Sequence, residues 1–277
     1  IAFKMLMYIL VTLRKYVDIF IDMVFGFVWE KQKQTLPELD SRHNILLESA
    51  VSLAAKIRNK ELKSEDLVKT CIERIKIVNP ILNAVTDTRY NEALADARQI
   101  DEQIAAGLSE EYFREKPFLG VPFTTKDSHA VLGLHQTMGL SSRAHLRAPE
   151  DAESVALLRR AGAIPLAVTN VPEVNKWQET RNLVFGQTNN PYHSGRTVGG
   201  SSGGEAALTA AIATPISLCS DIGGSTRMPA FYCGLYALNP TAGHTNVKGT
   251  YRLKKSNFSV NTLVVLSRIR AWGALLA

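Results

Sequence analysis

Gly199-Gly-Ser-Ser-Gly-Gly204 and Asp221-Ile-Gly-Gly-Ser225 are two glycine-serine segments that dominate the interpretation of this sequence. Between them lie an apolar, helix-like stretch, 205–213, and a short strand-like run, 215–219. Glycine allows tight turns and lets a bound molecule come close to main-chain N–H groups. Because regular elements separate the two segments, the pattern indicates a folded site and not a flexible linker, which would have a similar composition.

Acyl transfer is the chemistry that a serine in such a turn suggests. It requires a nucleophile, a base that removes its proton, and hydrogen-bond donors for the oxyanion. Ser225 is the predicted nucleophile. Successive main-chain N–H groups of the same turn are predicted to form the anion-binding concavity, namely those of Ile222, Gly223, Gly224 and Ser225.

Lys126 is the predicted base, because none of the six histidines lies within a glycine-serine turn. Strand alternation places Lys126 on the same face as Thr124 and Ser128. Burial disfavours the ammonium form of a lysine, and the neutral amine can then accept a proton. Ser201 would relay the proton from Ser225 to Lys126, which predicts a Ser-Ser-Lys triad.

Together these motifs resemble the amidase signature family. The resemblance rests on Gly-Gly-Ser-Ser-Gly-Gly-Glu-Ala-Ala-Leu at 199–208, on Asp-Ile-Gly-Gly-Ser-Thr-Arg-Met-Pro at 221–229, and on Cys-Gly-Leu-Tyr-Ala-Leu-Asn-Pro-Thr at 233–241. It extends over about 45–241. Within the family, the sequence most resembles the fatty-acid amide hydrolase 2 branch and its invertebrate members.

The resemblance implies a role for each triad residue and a reaction. The family's lysine falls on Lys126, its relay serine on Ser201 and its nucleophile on Ser225, and the Gly200–Ser201 peptide bond is expected to be cis. The implied reaction is hydrolysis of a carboxamide through an acyl-enzyme on the nucleophile. A fatty-acid amide or a similarly lipophilic amide is the expected substrate, and no cofactor is expected.

Further residues around the triad are predicted to support the site. Ser202 and Ser220 are predicted to hydrogen-bond the site or to satisfy turn backbone groups, and Arg227 is predicted to be a structural clamp on nearby carbonyl groups. Thr226 and Asn239 depart from the family pattern, which usually has an aliphatic residue and a lysine there. The full supporting set is Ser202, Ser220, Asp221 and Arg227.

Two alternative functions compete with the serine amidase. Ser201 also fits the G-x-S-x-G nucleophile elbow, with Asp221 and His244 in the order of an α/β-hydrolase esterase. The polar run before it, 192–197, disfavours this alternative, because the elbow follows a strand. The second alternative is a truncated, non-catalytic homologue that binds a membrane or a partner. A P-loop is excluded, since no glycine precedes Lys126 directly.

Composition limits the other classes of function. The 32 lysines and arginines are dispersed among 26 acidic residues, giving a modest net charge of +6 without the basic-aromatic interleaving of nucleic-acid binders. The three cysteines, Cys71, Cys219 and Cys233, lack metal-ligand spacing and are predicted to be reduced, buried thiols. No metal site is expected. A homodimer is a predicted assembly.

The segment 1–29 is predicted to associate with a membrane. It is heavily apolar, but five charges interrupt it, and the longest uncharged run has nine residues, fewer than a spanning helix needs. The pattern favours an interfacial anchor or a marginal span with snorkelling Arg14 and Lys15. A buried hairpin or helix pair covering the rest of the chain is the alternative. We expect an intracellular membrane, such as the endoplasmic reticulum or a lipid-droplet surface.

The remaining pattern predicts an α/β fold, with a mixed β-sheet core covered by helices on both faces. The predicted regions are a linker over 30–44, the N-terminal portion of a catalytic domain over 45–247, and a divergent tail over 248–277, with truncation at the C-terminus. Ser64 is predicted to cap a helix, and Gly107 to end the next one. Strands are predicted over 118–126, 163–169 and 215–219, and helices over 48–57, 91–106, 153–161 and 201–213.

Overall fold

The computed structural model describes residues 2–29, 33–241, 248–250 and 261–267. Its helices are α1 (Ala2–Trp29), α2 (Ala50–Arg58), α3 (Ser64–Leu82), α4 (Tyr90–Ala106), α5 (Glu110–Glu115), α6 (Glu153–Arg160), α7 (Gly203–Ala210) and α8 (Arg227–Tyr232). Its strands are β1 (Val85–Thr88), β2 (Pro122–Lys126), β3 (Ile164–Thr169), β4 (Arg181–Asn182), β5 (Gly186–Gln187), β6 (Ile216–Asp221), β7 (Tyr236–Leu238) and β8 (Asn261–Ser267).

Six strands form one mixed sheet in the order β1-β3-β2-β6-β8-β7, which confirms the predicted mixed α/β fold. The central strand β2 runs parallel to β3 and β6, and the outer pairs are antiparallel. Every residue of β2, β3 and β6 is buried, as expected for parallel strands covered by other elements. The carboxyl ends of these strands, Lys126, Thr169 and Asp221, meet at one edge of the sheet, where ligands bind in open α/β sheets.

The second helix of the predicted catalytic domain, α3, differs from prediction at its amino end. Ser64 is the first residue of α3 and its hydroxyl donates to the Gly120 carbonyl at 2.9 Å. The N–H groups of Ser64 and Glu65 instead donate to the Asp101 carboxylate, at 2.8 and 3.0 Å. The prediction that the Ser64 side chain caps this helix is therefore wrong, because a carboxylate from α4 takes that role. The predicted end of α4 at Gly107 is confirmed.

The helix α7 begins two residues later than predicted, at Gly203, because Ser201 and Ser202 belong to the preceding turn. Its first two residues must be glycine. A Cβ atom on Gly203 would lie 2.2 Å from the Thr180 hydroxyl oxygen, and one on Gly204 would lie 2.8 Å from the main chain of Asn170. The two glycines therefore let the amino end of α7 pack directly against the end of β3.

The apolar amino-terminal segment forms one continuous helix, α1, and not the buried hairpin or helix pair considered as an alternative. Its large apolar side chains are exposed, with fractions from 43% at Val24 to 75% at Tyr8. An ion pair of 3.6 Å joins Asp22 in this helix to Arg196. Among the described residues, no helix has both the length and the apolar character needed to cross a membrane.

Candidate active site

Lys126 ends the central strand β2 and is completely buried. Its Nζ donates to Ser201 Oγ at 2.8 Å, and it also lies 3.3 Å from Ser220 Oγ and 3.4 Å from the Ser220 carbonyl oxygen. Ser201 is 1% exposed. The structure therefore brings the predicted base and the predicted relay serine, 75 residues apart in the chain, into direct hydrogen-bond contact.

The environment of Lys126 favours the neutral amine. Desolvation by burial lowers the pKa of Lys126 to about 8, although the carboxyl groups of Asp221 and Glu205 raise it in part. An amine with this pKa is partly unprotonated near neutral pH, whereas an exposed lysine is not. The Lys126 side chain can therefore accept a proton near neutral pH, as a general base must.

The two glycine-serine turns contact each other through main-chain atoms. The Ser202 N–H donates to the Ser225 carbonyl oxygen at 2.9 Å. On the first turn, the Gly199 carbonyl accepts from the Thr180 hydroxyl at 2.8 Å, and the Gly200–Ser201 peptide bond is cis. These contacts place Ser225 next to the turn that carries Ser201, with Lys126 behind it.

Ser225 lies at the accessible side of this arrangement and is partly exposed. Ile222 is 53% exposed, and a Cβ atom on Gly223 would meet nothing within 4 Å, so no described residue packs closely over this part of the turn. The Ser225 hydroxyl makes no hydrogen bond to any residue that the structure describes. Ser225 is therefore the accessible member of the predicted triad, and the described hydrogen bond within the triad is the one between Lys126 and Ser201.

Asp221 holds the second turn in shape. Its carboxylate accepts the N–H groups of Gly224 at 2.7 Å and Thr226 at 3.0 Å, and the Arg227 guanidinium at 2.9 and 3.1 Å. Burial alone would raise the pKa of Asp221, but the Arg227 side chain and the N–H donors outweigh it and hold the pKa at about 2. Arg227 therefore clamps a carboxylate, and not the carbonyl groups that were predicted as its partners.

The contacts of Asp221 also reduce the number of predicted oxyanion donors that a substrate could use. Because the Gly224 N–H already donates to Asp221, it is not available to a substrate oxygen in this arrangement. The N–H groups of Ile222, Gly223 and Ser225 form no hydrogen bond to a residue that the structure describes. Three of the four predicted donors are thus without an acceptor among the described residues.

The histidine-dependent alternative finds no support in the contacts of Asp221, whose described partners are Arg227 and main-chain N–H groups. His244 lies outside the described residues. His129, just after β2, is buried, and its Nδ1 lies 2.7 Å from the Thr125 hydroxyl oxygen. Burial, with the charge of Lys126, lowers the pKa of His129 to about 3, so this imidazole is neutral.

Glu205 is a site residue that the sequence reasoning missed. It lies in the first turn of α7, is completely buried, and accepts hydrogen bonds from the hydroxyl groups of Thr124 and Thr169, both at 2.6 Å. The sequence carried a weak signal only, because a glutamate in the first turn of a helix is common and needs partners only when it is buried. Glu205 was noted only as the first residue of the stretch 205–213 and within the motif at 199–208, without a role of its own.

The described part of the chain offers no group of histidine, cysteine, aspartate and glutamate side chains that could hold a metal ion. Its three cysteines are free and buried, as predicted. Burial raises the pKa of Cys233 to about 12. These thiols are therefore packing residues in their protonated form.

Comparison with known proteins gives the family. The family model described as Amidase matches residues 66–263, which is more than half of the chain. The chain belongs to the amidase family. Its sheet, helices and paired glycine-serine turns are accordingly an amidase-signature α/β fold.

Several amidase relatives resemble the chain. Fatty-acid amide hydrolase 2-A of Danio rerio is 46% identical over 209 residues, covering 75% of this chain and 39% of that protein. Fatty-acid amide hydrolase 2 of Homo sapiens is 43% identical over 211 residues, covering 76% and 40%. A solved structure of fatty acid amide hydrolase superposes with a TM-score of 0.73 at 26% identity, covering 83% of this chain and 40% of that one.

The chain corresponds to part of these relatives. It spans about two-fifths of the length of the curated relatives that it matches. The part that matches contains Lys126, both glycine-serine turns and the parallel strands that carry them.

Proposed function

We propose that this amidase-family chain carries the catalytic groups of a serine amidase that hydrolyses lipophilic carboxamides. The observation that supports the proposal is the completely buried Lys126 amine, 2.8 Å from the Ser201 hydroxyl, on a turn hydrogen-bonded to that of Ser225. A buried lysine without a carboxylate partner in hydrogen-bond contact is unfavourable for folding. A role as proton acceptor accounts for its position.

The proposed reaction begins with removal of the Ser225 proton. The neutral Lys126 amine takes the proton of Ser201 across their hydrogen bond, and Ser201 takes the proton of Ser225. The Ser225 oxygen attacks the amide carbonyl carbon, and its C–O bond forms as the carbonyl becomes an oxyanion. The carbon–nitrogen bond then breaks, and the proton held by Lys126 returns through Ser201 to the leaving nitrogen. Water repeats the sequence on the acyl-enzyme and releases the acid.

The oxyanion is proposed to lie against the second turn. The N–H groups of Ile222, Gly223 and Ser225 are free of described acceptors, and Asp221 with Arg227 holds this turn rigid. Donors that are fixed before the reaction stabilise developing charge without reorganisation, and removing one costs about 3–4 kcal/mol in a known hydrolase. In this proposal Asp221 and Arg227 shape the turn and do not touch the substrate, and Ser220 orients the amine of Lys126.

The substrate class is proposed from two features. The relatives named fatty-acid amide hydrolase 2 act, by their names, on fatty-acid amides, and they share 43–46% identity with this chain. Helix α1 exposes a long row of apolar side chains. We therefore propose that α1 lies in the interface of an intracellular membrane, where a lipid-dissolved amide is available to the site.

A fluorophosphonate probe tests the catalytic proposal, since it modifies only a serine that has an organised base and oxyanion site. The native chain is treated with the probe, and the modified residue is located by mass spectrometry. We expect modification of Ser225, lost in Ser225→Ala and strongly slowed in Lys126→Ala. Modification at Ser201 that depends on His244 would favour the esterase, and no modification at all would favour a non-catalytic homologue.

Co-sedimentation with phospholipid vesicles tests the membrane proposal. We expect the native chain to sediment with vesicles, and a variant with charges at two exposed apolar positions of α1, Leu10→Glu and Phe20→Glu, to remain in the supernatant. Equal sedimentation of both would contradict it. The homodimer stays a prediction, which light scattering of the same preparations addresses.

A further inference from the structure

Glu205 is a completely buried carboxyl group that the proposed chemistry does not use. Its Oε2 accepts from Thr124 in β2 and its Oε1 accepts from Thr169 in β3, each at 2.6 Å. Burying an ionisable carboxyl group is unfavourable unless hydrogen bonds or an opposite charge compensate. The fold provides both, so the group is retained by a dedicated arrangement and not by chance.

A cluster of hydroxyl groups surrounds this carboxyl group. Ser217 in β6 lies 3.3 Å from Thr124 and 2.8 Å from Thr209 in α7, measured between hydroxyl oxygens. Each of the three parallel strands at the centre of the sheet thus contributes one hydroxyl group beneath α7. The close approach of this helix, permitted by Gly203 and Gly204, brings the carboxyl group within reach of the strands.

The two hydroxyl groups that hold Glu205 are the neighbours of Lys126 in the sheet. Thr124 precedes Lys126 by two residues in β2, so both side chains lie on one face of the strand. Thr169 is the cross-strand partner of Lys126 in the parallel β2–β3 pairing. The carboxyl group is therefore fixed on the same side of the sheet as the amine, behind the hydrogen bond from Lys126 to Ser201.

Each of the two groups affects the charge of the other. Burial raises the pKa of Glu205 to about 7, while hydrogen bonds from Ser217, Thr124 and Thr169 and the charge of Lys126 lower it in part. In the other direction, Glu205 is one of the groups that raise the pKa of Lys126 against the effect of burial. A negative charge at this position therefore favours the ammonium form of the amine.

Other titratable groups also face Lys126. Cys219 and Asp221 extend from β6, and His129 follows β2. Burial raises the pKa of the Cys219 thiol far above its usual range, so it is neutral, and His129 is neutral as well. Asp221 is already paired with Arg227. Asp127, next in the chain, instead accepts from the Thr137 N–H and hydroxyl groups.

We propose that Glu205 is a positioning residue for Lys126, whose carboxylate, held by Thr124 and Thr169, determines how readily the amine gives up its proton. An ionised Glu205 stabilises the ammonium form of Lys126, and a protonated Glu205 no longer does so. The pH range in which the site works would then depend on a carboxyl group that never contacts the substrate. This catalytic consequence rests on the proposed function, whereas the coupling between the two groups does not.

A titration of the Lys126 side chain tests the coupling without any need for turnover. The chain is labelled with ¹³C at lysine Cε, the Lys126 signal is assigned by its loss in Lys126→Met, and its midpoint is followed by NMR. In Glu205→Gln we expect the midpoint to move down by about one pH unit, because one negative charge has been removed. The matched control Glu111→Gln, at an exposed position of α5, should leave the midpoint unchanged. An unchanged or higher midpoint in Glu205→Gln would overturn the proposal.

A second variant decides the question if Glu205→Gln does not fold. Thr169→Val removes one hydrogen bond that stabilises the carboxylate, so Glu205 is less ionised at a given pH and the Lys126 midpoint should again fall, by a smaller amount. A midpoint that rises or stays in place would count against the proposal.

The fluorophosphonate experiment separates this inference from the proposed function. If the native chain is not modified at Ser225, the proposed function fails, and the NMR titration still decides on Glu205. If Ser225 is modified, the rise of the modification rate with pH should move to lower pH in Glu205→Gln, together with the NMR midpoint. A rate profile that does not move would contradict the role of Glu205 while leaving the serine amidase intact.

Discussion

Replacing Lys126 by methionine should make the protein more stable at neutral pH, although it removes the proposed base. Methionine has a similar length and no charge, so it fits the buried position without an ammonium group. The prediction follows from the burial of a lysine whose described contacts are hydroxyl and carbonyl groups rather than a carboxylate. Under the proposed mechanism, Lys126 is retained for its chemistry at the expense of stability.

The magnitude follows from the titration of this side chain. Burial lowers the pKa of Lys126 from 10.5 to about 8, which corresponds to about 3 kcal/mol of destabilisation below pH 8. Against this, the hydroxyl groups of Ser201 and Ser220 lose a donor in the variant, each worth about 1 kcal/mol. We therefore expect Lys126→Met to raise the free energy of unfolding at pH 7 by about 1–2 kcal/mol.

The sign of the pH dependence can be worked out in the same way. Between pH 8 and 10.5, the unfolded chain binds a proton at Lys126 that the folded chain has lost, so the stability of the native protein rises with pH in this range. The variant lacks this contribution. Its advantage over the native chain should therefore shrink, and then reverse, as the pH approaches 10.

Urea denaturation followed by circular dichroism at pH 7 and at pH 9.5 measures both effects. Taking the difference between the two proteins cancels the titration of tyrosines and thiols, which is common to both. This prediction would be refuted if the native chain were more stable than Lys126→Met at pH 7 and the difference did not change with pH. Burial of the Lys126 ammonium group would then not destabilise the fold.

Three other predictions concern the site and the elements that build it. The rate of Ser225 modification by a fluorophosphonate should rise about tenfold between pH 7 and pH 9, because the neutral fraction of an amine with a pKa of about 8 rises from about 9% to about 91%; a rate independent of pH would exclude Lys126 as the base. Gly204→Ala should destabilise the fold by about 1–3 kcal/mol in thermal unfolding, because its Cβ atom would lie 2.8 Å from the Asn170 main chain. Gly223→Ala is the control: no atom lies within 4 Å of its Cβ position, so this variant should unfold like the native chain. Asp101→Ala should lower the free energy of unfolding by about 1 kcal/mol, because α3 loses its cap. Ser64→Ala should leave the contacts of Asp101 with the N–H groups of residues 64 and 65 intact. A larger loss of stability in Asp101→Asn than in Asp101→Ala would contradict the capping role.

The turns and many of the regular elements could be predicted because their signals are local. Gly107 ends α4 as expected, and β3 differs from its predicted range, 163–169, by one residue. The predicted strand 118–126 was too long at its start. Gly120 has a φ of +79°, and the Val121 N–H bonds back to the Phe118 carbonyl, so a turn precedes β2.

Two of the residues missed or misassigned by sequence reasoning, Asp101 and Glu205, depend on partners far away in the chain. Asp101 caps α3 across 36 and 37 residues, and Thr124 reaches Glu205 across 81. Arg227 was expected to bind carbonyl groups and binds Asp221 instead. A sequence pattern describes the residue that needs a partner, but the identity of that partner depends on how separate elements pack.

The amino-acid sequence by itself determined the family resemblance and the mixed α/β class, and it singled out Lys126, Ser201 and Ser225 as candidates, because motifs, glycine turns and strand alternation are properties of short segments. Only the tertiary structure decided that the Lys126 amine is completely buried against Ser201, and that a carboxyl group lies on the same face of the sheet. The physical reason is that a charge on a side chain depends on desolvation and on nearby groups. The desolvation and the nearby groups of Lys126 are determined by the assembled sheet and by the helix α7 packed on it, and not by neighbours in the chain.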